Sequence, residues 1–133
     1  YILMAGQRTP VFFHSEHRMI PWLREAHPDP IAEIHPQVAE KHGIKEGAWI
    51  YVETPRGRIK HRARVTPTID PRTIAIQHGW WFPEQKDPGH GWDQSSSNIL
   101  TDNDPKTYDV CMGASNLRVM LCKIYPVTEE GVR

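Results

Sequence analysis

Residues 14–18 read His-Ser-Glu-His-Arg, which places two imidazoles, a hydroxyl, a carboxylate and a guanidinium side by side. Side chains of these types can ligate a metal, exchange protons or grip an anion. His14 and His17 have the spacing of a metal pair, yet a structural zinc site takes four ligands, commonly as two spaced pairs with cysteine. His27, His35, His42, His61, His78 and His90 are scattered singly, and Cys111 and Cys122 are remote and form no CxxC pattern. An autonomous small β-barrel enzyme using its histidines for a metal is therefore a minor reading. Ser15 beside a histidine lacks the glycine-flanked elbow and orienting acid of a nucleophile. Asp102 and Asp104 in "TDNDP" could pair for acid–base work, but the pattern also suits a turn whose Asx side chains bond their own backbone.

Anion gripping suits the residues better. Gly6 permits close backbone approach, and Arg8 supplies a guanidinium fork just after an apolar run. His14, Ser15 and Arg18 add donors, and Asn98 adds an amide able to read a base edge. The competing reading makes Arg8 and Arg18 solvated surface charges and His14 an interior histidine, as in a non-catalytic interaction domain. Trp80 and Trp81 face opposite ways if they continue a strand, so one can pack inward while the other lines a pocket.

The elements that must position these groups are short. "YILM" reads as a buried strand, and "PVFF" as a second strand or its continuation. "MIPWLREAHP" makes one or two helical turns with Ile20, Trp22 and Leu23 as apolar positions, before Pro28 and Pro30 force an extended exit. "AEI" is a strand, and Pro36 starts a helix that Gly43 stops. "WIYVETPRGRIKHRARV" is a hairpin: Ile50 and Val52, then Ile59, His61, Ala63 and Val65, alternate with polar residues around a "PRG" turn. "TIAIQ" adds a strand, and "LRVMLCKIYPV" closes the chain as the last one. Residues 83–109 are polar and turn-rich, and Trp92 with "NIL" argues for an ordered binding loop. The sum is mainly β, a small barrel with one or two short helices.

With 133 residues the chain makes one domain, 1–133. Its 16 Lys+Arg balance 16 Asp+Glu, which argues against nucleic acid as a partner, since such binders carry a basic excess. No apolar run approaches a membrane span, so no membrane insertion by this segment is expected. The 12 prolines favour short elements joined by stiff turns. The cysteines read as free, partly buried thiols. Starting at Tyr1 inside an apolar run, the sequence reads as a fragment of a larger polypeptide.

The order of four stretches carries a resemblance: "GQRTPVFFHSEHR", "EIHPQVAEKHGIKEGAWIYVETPRGRIKHRARVT", "HGWWFPE" and "SSSNILTDNDP". Together they resemble the C-terminal molybdopterin dinucleotide-binding domain of the dimethyl sulfoxide reductase superfamily, over about residues 3–126. That superfamily includes formate dehydrogenases, nitrate reductases, and polysulfide or thiosulfate reductases. Ala48 stands where Asp is common, Pro71-Arg72 where Pro-Gly is common, and Phe12 where some branches have His.

The resemblance implies a six-stranded double-psi β-barrel that caps bis-molybdopterin guanine dinucleotide (bis-MGD) with molybdenum or tungsten. The parent would be formate dehydrogenase-like, prokaryotic, and cytoplasmic or periplasmic. Its other domains would complete the site, with an iron–sulfur electron-transfer subunit as a further partner. Carried over by position, the cofactor-binding residues are Gly6, Gln7, Arg8, His14, Ser15, His17, Arg18, Trp81, Asn98 and Asp102. No metal ligand and no catalytic residue is expected from this segment, and the isolated fragment should be inactive.

Overall fold

The computed structural model describes residues 1–116 and 118–128. Strand β1 (Ile2–Gln7) is followed by helix α1 (Pro21–Ala26), strand β2 (Ile31–Ile34) and helix α2 (Pro36–His42). Strands β3 (Trp49–Thr54), β4 (Gly57–Val65) and β5 (Thr73–Gln77) come next, then helix α3 (Trp92–Ser95), and finally β6 (Arg118–Leu121) and β7 (Lys123–Pro126).

Local rules explain most of these elements. Pro36 occupies the first turn of α2, where its missing N–H costs nothing, and Gly43 ends it in the left-handed region at φ 63°. The β3–β4 hairpin turns through Pro55-Arg56 between paired Thr54 and Gly57. Its alternation turns Ile50, Val52, Ile59, His61 and Ala63 inward. The expected short helix within "MIPWLREAHP" forms as α1 from Pro21, but Trp22 is 70% exposed and Leu23 packs inward. "PVFF" does not form a strand: residues 10–15 make turns, because the chain bends away from the sheet after Gly6 at φ 105°.

The strands form one sheet in the order β6-β1-β5-β2-β4-β3-β7. Pairs β1–β5 and β2–β4 are parallel, and the remaining pairs are antiparallel. The outermost strands, β6 and β7, are separated in the chain by Cys122 alone. The sheet therefore curls until its two edges meet there, and the Cys122 N–H donates to the Tyr1 carbonyl at 2.9 Å. The expected single closing strand is thus drawn as two, giving seven strands in place of six. The break falls where the run exchanges β1 for β3 as its partner. The concave side is filled by Leu3, Ala32, Ile34, Ile50, Ile74 and Ile76, all fully buried. Cys111 is exposed and Cys122 buried, and both are free thiols.

Phe12, Trp80 and Phe82 form a second, smaller apolar cluster, onto which Val11, Leu23 and Trp49 pack. It underlies the turn at 10–20 and the start of the long segment after β5. That segment is ordered by α3 and by short 3-10 turns at Ser97–Ile99 and Pro105–Thr107.

Candidate functional site

An open cleft of about 620 Å³ lies at the C-terminal end of β1. A bulge between Ala5 and Gln7 shifts the β1–β5 register there. Such a bulge re-aims the residues beyond it, and Gly6 and Arg8 line the cleft. Arg8 is exposed and, among the described residues, makes no ion pair.

One wall is the turn carrying His14 and Ser15. His14 is held at φ 49°, a backbone state uncommon outside glycine. Arg18 explains how it persists. Its guanidinium sits beneath the turn, where Nη2 donates to the His14 carbonyl at 2.9 Å and Nη1 to the Glu16 carbonyl at 3.0 Å. It also stacks 4.1 Å from the Phe12 ring centroid and 4.6 Å from that of Trp80. At 1% exposure its pKa is lowered to about 10, first by burial and then by the nearby Arg24 charge, which leaves it cationic at neutral pH.

His14 Nδ1 lies 3.1 Å from His78 Nε2, and His78 Nδ1 lies 3.3 Å from the Gln7 carbonyl. A carbonyl only accepts, so the chain assigns a proton to His78 Nδ1, and His14 Nδ1–H donates to His78 Nε2. His14 Nε2 is then left for a ligand. Burial foremost, helped by the His14, Arg8 and Arg18 charges, pushes the His78 pKa down and favours this neutral form.

The opposite wall comes from the long segment after β5. Trp81 Nε1–H donates to the Ser15 carbonyl at 2.6 Å, and the Trp81 ring meets His90 edge-on at 5.7 Å. Beyond them Ser96, Ser97 and Asn98 line the cleft, and Trp92 leaves its indole 48% exposed at the rim. Asn98 is exposed, and its side-chain amide makes no protein hydrogen bond among the described residues. Arg118, on β6 across from Met4, completes the lining.

Of the residues singled out from sequence, Gly6, Arg8, His14, Ser15, Trp81 and Asn98 meet in this cleft. Arg18 does not reach it, because both its Nη groups are spent on backbone carbonyls below the turn. The Gln7 carbonyl orients His78, but its side-chain Oε1 is buried without a partner. His17 points to Glu16, 3.7 Å away. Asp102 accepts from the Asp104 N–H at 2.9 Å and pairs with Arg56, beside an adjoining groove that shares Trp92 and Asn98 with the cleft. His78, Gly79, His90, Ser96, Ser97 and Arg118 had not been singled out. The signal for the first three lay in "HGWW" and "GHGW", polar rings flanked by glycine; nothing local marked Arg118.

Among the described residues the lining includes Arg8, Arg118, His14, His78 and His90 but no carboxylate. Such a surface suits an elongated anion bearing aromatic rings: guanidinium forks for phosphate, imidazole and amide for the polar edges of a ring, an indole for stacking. Among the described residues no three or more His, Cys, Asp or Glu gather as a metal cluster. No helix among the described residues is long and apolar enough to cross a membrane.

Comparison with known proteins agrees with this geometry. Residues 1–116 match the family model described as "Molydopterin dinucleotide binding domain". The chain is 45% identical to a dopamine dehydroxylase of Eggerthella lenta over 126 residues, which is 95% of this chain and 12% of that protein. A formate dehydrogenase subunit alpha of Megalodesulfovibrio gigas is 34% identical over 68% of this chain and 9% of its own. Among solved structures, acetylene hydratase from Pelobacter acetylenicus superposes with a TM-score of 0.89 at 35% identity, over 95% of this chain and 18% of that one. The chain therefore spans less than a fifth of the length of these relatives.

Proposed function

The chain belongs to the Molydopterin dinucleotide binding domain family, and from that premise we propose that its cleft closes over the dinucleotide arms of bis-MGD in a molybdenum- or tungsten-dependent oxidoreductase. The observation that carries this reading is a lining that brings together two arginines and three imidazoles, with no carboxylate among the described residues. The residues present fit the group. Arg8 and Arg118 are placed to meet pyrophosphate, His14 Nε2 and Ser15 the polar edge of a pterin, and Asn98 beside Trp92 the guanine. The adjoining groove, bordered by Arg56 and Asn103, shares Trp92 and Asn98 with the cleft and is the surface assigned to the second dinucleotide.

In this reading the segment is the cofactor-capping domain of a larger chain. The metal–dithiolene centre supplies the electron-transfer or hydration chemistry, and its protein ligand comes from another domain. This chain binds, orients and shields the cofactor, and by itself turns nothing over. The fold is read as a double-psi barrel: counted as one strand, β6 and β7 reduce the sheet to six and close it, and the parallel β1–β5 and β2–β4 pairs suit interlocked crossovers.

A formate dehydrogenase-like parent has support only from a relative matching 68% of the chain. Relatives matching 95% of it act on other substrates by name, dopamine and acetylene, and favour a parent of dehydroxylase or hydratase type. An iron–sulfur partner follows only for a parent that moves electrons. Acid release from the full-length protein tests the reading. Equal amounts of guanine nucleotide and oxidised pterin, at twice the metal content, are expected. Pterin without guanine nucleotide would overturn the dinucleotide assignment.

A further inference from the structure

His61 lies in the middle of β4 with no exposed surface and is not among the residues that line the cleft. Its Nε2 is 2.9 Å from the Ser95 carbonyl oxygen, and its Nδ1 is 3.2 Å from the Ile31 carbonyl oxygen. Both neighbours only accept, whereas a neutral imidazole carries a single N–H. Burial pushes the His61 pKa down, so the ring is neutral at ordinary pH. One nitrogen therefore faces a carbonyl with its lone pair. The shorter contact takes the proton, and Nε2–H donates to Ser95.

Ser95 is itself fully buried, with its hydroxyl directed at the carbonyls of Trp80 and Gly91 at 3.1 and 2.9 Å. The next residues, Ser96, Ser97 and Asn98, form the far wall of the cleft. At the other end of this wall Thr54 Oγ1–H donates to the Leu100 carbonyl at 2.9 Å. The β3–β4 hairpin thus grips the segment at both ends, through Thr54 on one strand and His61 on the other.

We propose that His61 is a positioning residue for the cleft: its Nε2–H fixes the Ser95 carbonyl and thereby sets how Asn98 is presented to the dinucleotide, a role that rests on the cofactor-binding reading above. A residue that merely filled the core would need only volume. The two short polar contacts give His61 a direction, and only the Ser95 contact reaches the cleft wall.

The test compares His61→Gln with His61→Asn in the full-length protein. A glutamine amide reaches the position of Nε2 and an asparagine amide that of Nδ1, so each variant keeps one donor but aims it at a different carbonyl. The readouts are amide hydrogen exchange across residues 92–100 and guanine nucleotide retained after dialysis. Asn is expected to raise exchange over 95–99 by ~10-fold or more and to shed nucleotide, since a buried carbonyl loses its donor. Gln should stay near wild type in both. Equal behaviour of the variants would overturn the proposal. A second measurement needs no variant: the imidazole nitrogen shifts of wild-type His61 should report the Nε2–H tautomer, and the Nδ1–H tautomer would overturn it. A wild-type protein without guanine nucleotide would sink the cofactor reading alone, while exchange and tautomer would still decide the tether.

Discussion

Gly79 and Ser15 approach so closely that a Cβ built on Gly79 would lie 3.1 Å from the Ser15 main chain. This is where the two walls of the cleft touch, and Trp81 Nε1–H donates to the Ser15 carbonyl beside it. Gly79 also holds φ 66°, a region that disfavours a side chain.

Gly79→Ala should therefore cost about 1–3 kcal/mol, from strained backbone and a wall pushed aside. The expected outcome in urea unfolding is a lower midpoint with an unchanged slope. A midpoint equal to wild type would show that the walls are not in contact as described.

Arg18→Met keeps an apolar stem between Phe12 and Trp80 but removes both donors to the His14 and Glu16 carbonyls. With two hydrogen bonds from a charged group lost, each worth about 1.5–3 kcal/mol, the loss should be about 3–6 kcal/mol. Because the His14 turn loses its support, nucleotide retention should fall as well. Retention lost without any change in stability would instead place Arg18 in contact with the ligand.

Gly57→Ala would set a Cβ 2.8 Å from Ile99 Cγ2 and 3.0 Å from its carbonyl, under the turn that carries Asn98. Overpacking of this kind costs about 1–3 kcal/mol. Faster amide exchange at 97–101 is expected; an unchanged exchange profile would argue that the turn can move away freely.

Burial holds the pKa values of His27, His42, His61 and His78 below the ordinary 6.5. In each case the unfolded chain takes up a proton before the folded one does as pH falls. Stability from these rings is complete above pH 6.5 and is lost progressively below it, down through the folded pKa values. Unfolding midpoints measured between pH 8 and pH 5 should fall across the acid half of that range. A flat profile would contradict the neutral form that burial favours for these histidines.

The readable parts of the sequence were those governed by neighbours in the chain. Alternation in "WIYVETPRGRIKHRARV" gives the hairpin and the inward side of His61, and Pro36 with Gly43 brackets α2. Arg8, His14, Ser15 and Asn98 were recognisable as donors from residue type and from family order. What could not be read depends on how the folded chain brings groups together. Arg18 looked like a ligand donor, yet its contacts are carbonyls just upstream and the rings of Phe12 and Trp80. His61 could be placed inside, but nothing near it names Ser95 as its acceptor. Arg118 joins the cleft only because the last run pairs with β1, and Cys122 splits that run for the same reason.

The central claim is that this cleft holds a guanine dinucleotide through Arg8 and Asn98. The most direct measurement compares the full-length protein with its Arg8→Ala, Asn98→Ala double variant, and assays bound guanine nucleotide, pterin and metal on folded material. The account predicts that guanine nucleotide and metal are lost together while the fold, judged by circular dichroism and unfolding midpoint, persists. Full retention of both would contradict it, and would mean that these side chains serve the surface and not the cofactor.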